Sequence, residues 1–172
     1  MNKKAAKRPK PAPVANRPSP EIGRLLPFYD IGGRSYFGYR MVLAAKLFDR
    51  AINRLLVEHS DLTLPQWRVM SQLGLVPEGT VRSLADGAAV DRAEISRAAR
   101  DLERRGLLRR REDASDRRSP VFSLTAAGRR RYATVRKPIS NFIVHLIDDV
   151  NARDLEAANR ALWAITRGCL GP

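Results

Sequence analysis

The charged side chains between residues 91 and 131 are the part of this sequence whose types and spacing could do chemistry. The stretch holds 13 arginines and seven acids, and it contains no lysine. Guanidinium groups are planar and weakly hydrated, so they suit bidentate contacts with phosphate and with base edges better than ammonium groups do. The pattern therefore favours a surface that binds nucleic acid, and the rest of the chain must supply the elements that present it.

Residues 92–105 predict an amphipathic helix that could bring some of these charges to DNA. One side consists of apolar residues at helical spacing that we expect to be buried: Ile95, Ala98, Ala99 and Leu102. The other side, with the capping residue before it, carries the candidate DNA-binding residues: Asp91, Arg92, Ser96, Arg97 and Arg100. A helix of about 10–12 Å diameter fits the major groove. The alternative is a solvated helix face with no partner.

A β-hairpin is predicted directly after this helix. Residues 107–112 (LLRRRE) and 120–124 (PVFSL) are short β-capable runs, and DASDRRS forms the turn between them. A solvated turn does not need two adjacent arginines, so we expect the tip to enter a minor groove. The candidate contacts at the tip are Asp116, Arg117, Arg118 and Ser119, with Asp116 bracing one of the arginines. A turn that is simply polar is the alternative.

Three helices are predicted before the one at 92–105. Residues 36–59 form a long helix whose apolar surface is wide enough to need cover from another element, and a partner chain is one candidate. Thr63 and Gln66 stand in capping-box spacing before a second helix, which we expect to end at Gly74. Thr80 predicts the cap of a short third helix.

Two helices are predicted after the hairpin. Thr125 is expected to cap the first, which should be interrupted or kinked near Pro138 because proline cannot donate to the preceding turn. Asn151 and Asp154 predict the start of the last helix, and Gly168 its end. This order describes a winged helix-turn-helix with flanking helices, so the predicted fold class is mostly α (α+β).

The chain of 172 residues is strongly basic, with a formal net charge of +14. Residues 1–20 contribute +6, contain no acid, and are expected to form a disordered basic tail. We assign residues 61–128 to the winged helix-turn-helix, and residues 21–60 and 129–172 to a second helical lobe. The chain without its tail still carries +8, which favours a polyanionic partner.

Several other classes of protein are disfavoured. No run approaches the roughly 20 apolar residues that cross a bilayer, and no secretory signal is visible, so we expect a cytoplasmic protein without membrane contact. Cys169 is the only cysteine, and His59 and His145 are not in metal-ligand spacing. Without a glycine-rich phosphate loop or a nucleophile–histidine pair, we expect no catalytic residues, no metal, no cofactor and no enzyme activity.

The segment DLERRGLLRRREDASDRRSPVFSLTAAG resembles the MarR (multiple antibiotic resistance regulator) family. The family pattern is L-E-x-x-G-L at the end of a recognition helix, then D-x-R in a wing, then L-T-x-x-G. The positions that match the second and third motifs are Asp116, Arg118, Leu124, Thr125 and Gly128. LTLPQWRVM and VRSLADGAAVDRAEISR are also similar to the family's second helix and helix-turn-helix, so the resemblance covers residues 35–170.

This resemblance implies a homodimer that binds double-stranded DNA, usually as a repressor released by a small aromatic or phenolic ligand. Parts of residues 21–58 would pack with residues 139–169 across a two-fold axis, so the second lobe would be a dimerisation lobe. Such a dimer predicts a pseudo-palindromic operator with half-sites about one helical turn apart. The alternative is a basic architectural nucleic-acid-binding protein without an effector response.

Family effectors usually bind between the dimerisation lobe and the winged domain. The positions that could line this crevice here are Tyr36, Tyr39, Arg40, Trp67 and Met70. Arg40 or Arg68 could hold a carboxylate, and Trp67 could stack on a ring. Trp67 and Met70 at helical spacing are more often part of a hydrophobic core. Some family members sense peroxide through a cysteine in the N-terminal lobe, but the position of Cys169 does not match.

Overall fold

A computed structural model of the chain describes residues 36–112 and 120–171. Its elements, in chain order, are helix α1 (Tyr36–His59), α2 (Leu64–Leu73), strand β1 (Gly79–Thr80), α3 (Val81–Ala88), α4 (Arg92–Arg104), β2 (Leu108–Arg111), β3 (Val121–Leu124), α5 (Ala126–Ile147) and α6 (Ala152–Leu170). The chain divides into two compact units, and the division falls inside α5, between Asn141 and Phe142. Within the described ranges, no helix is both long enough and apolar enough to span a bilayer.

Helix α1 is buried only towards its C-terminal end. Ala51, Ile52 and Leu56 belong to the hydrophobic core, and Leu56 is completely covered. The earlier turns leave large apolar side chains exposed, including Val42 and Phe48. The wide apolar surface that the sequence predicts for this helix is therefore only partly buried within the described residues.

Helix α2 begins with the capping box that its sequence predicts. The Thr63 side chain accepts from the Gln66 backbone N–H, and the Gln66 side chain accepts in return from the Thr63 N–H. The helix ends at Gly74, as predicted, but with right-handed dihedrals (φ −80°) rather than left-handed ones. Glycine lets the ring of Tyr132 on α5 pack directly against the backbone there, because a Cβ would lie 2.3 Å from the ring.

Helices α3 and α4 form the helix-turn-helix, and their caps also match the sequence. Thr80 caps α3, and the Asp91 carboxylate caps α4 by accepting from the N–H groups of Ala93 and Glu94. The apolar side of α4 is buried as predicted, with Ile95, Ala98, Ala99 and Leu102 in the core. Ala89, in the turn between the two helices, adopts a left-handed conformation with φ of 51°.

A three-stranded antiparallel sheet with the order β1-β3-β2 combines one strand before the helix-turn-helix with two strands after it. Strands β2 and β3 pair from Leu108 opposite Leu124 to Arg111 opposite Val121, which confirms the predicted hairpin. The turn at 113–119 lies outside the described residues. Strand β1 was not predicted, because two residues are too few to show an alternating pattern; it pairs with Val121 and Phe122 of β3.

The last two helices are longer than their sequences predict. Helix α5 runs from Ala126 to Ile147 with Pro138 inside it, so the helix is not interrupted at the proline. A proline removes a single backbone donor, and the remaining turns of a long helix can continue past it. Helix α6 starts after the Asn151 cap as predicted, but it continues through Gly168 to Leu170, because glycine is unfavourable inside a helix without forbidding it.

Candidate nucleic-acid interface

The outward side of α4 presents the arginines that the sequence analysis assigned to DNA. Arg92, Arg97 and Arg100 are exposed, whereas Ser96 is half-buried. Arg92 lies 3.6 Å from the Asp86 carboxylate, and the Arg100 Nε donates to the Ser96 carbonyl at 3.3 Å. Arg97 has no carboxylate partner within the described ranges, so its guanidinium is available to a ligand.

The opposite side of α4 contains two alanines that sit in the core of the winged domain. Ala98 and Ala99 are both buried. Their small side chains bring the α4 backbone close to its scaffold and leave room for the outward side to reach a partner. The local sequence therefore fixes which face of α4 is presented.

Strand β2 adds a second row of arginines beside α4. Arg109 donates through Nε to the Ser123 hydroxyl at 2.8 Å, across the β2–β3 pair. Arg111 forms an ion pair with Glu78 at 2.7 Å, which joins the turn-proximal end of β2 to the segment before β1. The sequence analysis missed Glu78, because 33 residues separate it from Arg111. The predicted wing-tip residues Asp116, Arg117, Arg118 and Ser119 lie outside the described residues.

An open groove of about 970 Å³ connects the flank of α4 with β2. Four arginines line the groove. Arg97, Arg100 and Arg104 belong to α4, and Arg110 belongs to β2. Glu94, Asp101 and Glu103 also line it. The groove thus brings guanidinium groups from the helix and from the hairpin to one surface, which is the arrangement that a phosphate backbone requires.

A network of polar side chains surrounds the C-terminal end of α4. Asp61 accepts hydrogen bonds from Arg105, the C-cap of α4, and from Arg131 on α5. The hydrogen bond from Arg131 is the main reason that the pKa of Asp61 is lowered from its usual value, and the charge of Arg105 adds to the effect. Sequence reasoning missed this network, because 44 and 70 residues separate Asp61 from its two partners.

The residues proposed to line an effector crevice are not all accessible. Met70 has no exposed surface, and Trp67 is 8% exposed and stacks on Tyr132 with ring centroids 5.7 Å apart. Both residues therefore belong to the hydrophobic core, which was the alternative to lining an effector crevice. Arg40 and Tyr39 are exposed on the first turns of α1, and the side chain of Tyr36 lies outside the described residues. Their role in binding an effector stays a prediction.

Arg68, the second residue considered for binding an effector carboxylate, already forms an ion pair within the chain. Arg68 donates through Nη2 to both carboxylate oxygens of Asp49, each at 2.9 Å. This ion pair joins α2 to α1. Among the residues that the structure describes, no group of three or more histidines, cysteines and acids could hold a metal ion. Cys169 is exposed near the end of α6.

Comparison with known proteins gives a match for the part of the chain that contains the helix-turn-helix. Residues 60–119 match the family described as "MarR family". The protein named transcriptional regulator HosA, from Escherichia coli O127:H6 and O157:H7, is 35% identical over 83 residues, which are 48% of this chain and 62% of HosA. The chain therefore aligns with less than two thirds of the length of these relatives.

Solved structures share the fold over most of the chain. A MarR family regulator from Silicibacter pomeroyi has a TM-score of 0.70 at 24% identity, covering 83% of this chain and 97% of that one. Sco3205 from Streptomyces coelicolor, solved in complex with DNA, has a TM-score of 0.69 at 20% identity, covering 83% and 94%. PcaV from the same organism, solved with its natural ligand, has a TM-score of 0.62 at 21% identity, covering 84% and 96%.

These comparisons confirm the predicted fold class, which is mostly helical with a small antiparallel sheet. The matched region 60–119 contains two of the three motifs on which the sequence resemblance rests, the end of the recognition helix and D-x-R, whereas L-T-x-x-G lies beyond it at residues 124–128. Residues 60–119 of the chain match the MarR family, and the fold of the described residues is similar to that of solved MarR family regulators.

Proposed function

We propose that this chain is a transcriptional regulator that binds double-stranded DNA sequence-specifically. The observation that carries the proposal is the groove in which Arg97 and Arg100 of α4 meet Arg110 of β2. A helix fits the major groove, and guanidinium groups on its outward side can bind guanine edges or phosphates there. The name of HosA as a transcriptional regulator and the complex of Sco3205 with DNA support the same function.

Each predicted contact has a specific role in this proposal. Arg92, Ser96, Arg97 and Arg100 face the major groove, with Asp91 at the start of the helix. Arg117 and Arg118 enter an adjacent minor groove, where Asp116 holds one of them in place and Ser119 contacts the backbone. Phosphate contacts position the protein and base contacts give the sequence preference, so α4 determines the choice of operator.

The protein is proposed to act as a homodimer on a pseudo-palindromic operator. Helix α6 contains no buried residue, and Trp163 is 70% exposed, so its apolar side needs a partner. Val42 and Leu47 on α1 are exposed in the same way. Residues 21–60 and 129–172 would supply the dimerisation lobe, and a two-fold dimer would place two copies of α4 on successive turns of the duplex.

Repression released by a small aromatic or phenolic ligand completes the proposal. The structure of PcaV with its natural ligand supports a small-molecule effector. Tyr39 and Arg40 are the exposed candidates for contacting it, with Tyr36 beside them in sequence. Screening aromatic acids for release of the protein from its best DNA fragment tests this part separately from DNA binding.

An Arg97→Ala variant distinguishes a specific regulator from an architectural protein that binds any duplex. Genomic fragments selected by the wild-type protein and a random duplex would be compared by fluorescence anisotropy at one salt concentration. We expect the variant to lose roughly 5- to 150-fold in affinity for the selected fragment, and much less for random DNA. Arg153→Ala, on α6, is the charge-matched control. Equal losses on both duplexes would favour the architectural alternative.

A further inference from the structure

Gln66 has a polar side chain but lies in the hydrophobic core. It is 7% exposed and is the one polar residue in the core of the described chain. A buried amide is costly unless its donors and acceptors find partners. The capping box of α2 occupies only part of the amide, because the Thr63 N–H donates to Oε1 at 2.9 Å.

The rest of the Gln66 amide is bonded to α4. Its Nε2 donates to the carboxylate of Asp101, and its Oε1 also accepts from the Nη1 of Arg105 at 3.3 Å. Asp101 and Arg105 are four residues apart, so they lie on the same side of α4 at its C-terminal end. One rigid amide therefore bridges two successive turns of the helix that carries the proposed DNA contacts.

Both bridged side chains are held by a second partner. Asp101 accepts from Arg104 at 2.6 Å, and Arg105 donates to Asp61, which also binds Arg131 of α5. These bonds leave little freedom for the two groups that Gln66 contacts. The C-terminal end of α4 is consequently fixed to the start of α2 by directional bonds as well as by packing.

Apolar packing fixes the position of α4 less tightly than these hydrogen bonds do. The core contacts of α4 are made by Ile95, Leu102 and two alanines, and apolar contacts have no preferred direction. A small rotation or slide of α4 would keep most of this burial but would displace Arg97 and Arg100 on the outward side. Hydrogen bonds to base edges require placement within about 0.5 Å and 10–20°.

We infer that Gln66 is a positioning residue for sequence discrimination, acting through Asp101 and Arg105 to set the rotation and axial position of α4. The inference rests on the proposed DNA-binding function. It assigns discrimination partly to a side chain that is 7% exposed and is bonded to the helix that carries the proposed DNA contacts. Loss of the bridge should therefore weaken binding to the selected operator much more than binding to random duplex.

Two substitutions that together conserve the net charge test the bridge without removing the α2 cap. Gln66→Glu keeps the oxygen that accepts from Thr63 and Arg105, and glutamate is a standard capping-box residue. It replaces the donor to Asp101 with an acceptor, so two carboxylates face each other. Adding Asp101→Asn restores a hydrogen bond with donor and acceptor reversed, and it returns the net charge to that of the wild-type protein.

Gln72→Glu is the matched control. Gln72 lies on the same helix and donates from Nε2 to the Gly87 carbonyl of α3 at 3.1 Å, so the variant also loses one bond between helices and gains one negative charge. The affinity for a selected fragment, the affinity for random duplex and the melting temperature would be measured for each variant at one salt concentration.

We expect Gln66→Glu to lower the preference for the selected fragment roughly 10- to 100-fold, the loss that accompanies one or two displaced base contacts. The Gln66→Glu/Asp101→Asn variant should recover most of that preference, and Gln72→Glu should keep it. A parallel loss on both duplexes, or no recovery in the double variant, would overturn the inference. Failure of the wild-type protein to prefer any selected fragment would instead overturn the proposed function itself.

Discussion

The carbonyl oxygen of Leu107 lies 2.0 Å from the position that a Cβ on residue 128 would occupy, so only glycine fits at Gly128. The contact joins the start of the hairpin to the first turn of α5. Thr125 secures the same junction, because its hydroxyl donates to the Gly106 carbonyl at 2.8 Å and accepts from the Gly128 N–H at 3.0 Å. The L-T-x-x-G motif is thus the point at which the hairpin is attached to the helix that follows it.

Replacing Gly128 with alanine should destabilise the protein by about 1–3 kcal/mol, because a backbone carbonyl cannot move away as a flexible side chain can. The free energy of unfolding from urea denaturation is the measurement. Gly38→Ala in α1 is the control, since nothing lies within 4 Å of a Cβ there and alanine favours a helix. Equal stability of the two variants would show that the junction tolerates a side chain.

A substitution in the turn of the helix-turn-helix should stabilise the protein. Ala89 has a φ of 51°, and an L-residue in that region costs about 1–2 kcal/mol relative to right-handed conformations. Glycine removes this cost but loses more backbone entropy on folding, so Ala89→Gly should stabilise by about 0.5–1 kcal/mol. The change in melting temperature measures the effect. A destabilised Ala89→Gly variant would mean that the alanine side chain contributes packing that outweighs its strained backbone.

The stability of the protein should depend on Asp61 in acid. Hydrogen bonding from Arg131 lowers the pKa of the folded carboxyl below its unfolded value of 3.8. The ionised group therefore stabilises the fold at pH values above 3.8, and this contribution is lost as the pH falls through the lowered folded pKa. Because the Asp61 side chain is 64% exposed, the contribution at neutral pH should not exceed about 1 kcal/mol.

Urea denaturation of Asp61→Asn from pH 7 to pH 2 measures this dependence. The variant should have a lower free energy of unfolding than the wild-type protein at pH 7. The two free energies should become equal as the pH approaches 2. Asp149→Asn serves as the control, since Asp149 makes no ion pair in the described part of the chain. A stability difference that does not change with pH would rule out the ionised Asp61 as its source.

The wing tip can be tested through the salt dependence of DNA binding. Arg118→Ala should weaken binding to every duplex and reduce the slope of log affinity against log salt by about one phosphate equivalent. Arg118→Lys keeps the charge, so it should restore most of the slope while losing bidentate contacts. An unchanged slope in Arg118→Ala would mean that the tip does not touch the DNA backbone.

Caps and periodic apolar positions were predictable from the sequence because they depend on residues three or four apart. Thr63 with Gln66, Asp91 before α4 and Asn151 before α6 all act as predicted. Strand β1 could not be predicted, because its two residues become a strand only by pairing with β3. The continuity of α5 through Pro138 also depends on the whole helix and not on the proline alone.

The sequence by itself determined the order of the helices and the hairpin and the inward side of α4, because these features depend on the spacing of residues that are close together along the chain. Only the tertiary structure decided that Gln66 bridges Asp101 and Arg105, that Asp61 joins α4 to α5, and that Trp67 stacks in the core. These contacts link side chains that are 35 to 70 residues apart. Hydrogen bonds and ion pairs depend on distances of a few ångströms, and the packing of the helices sets those distances.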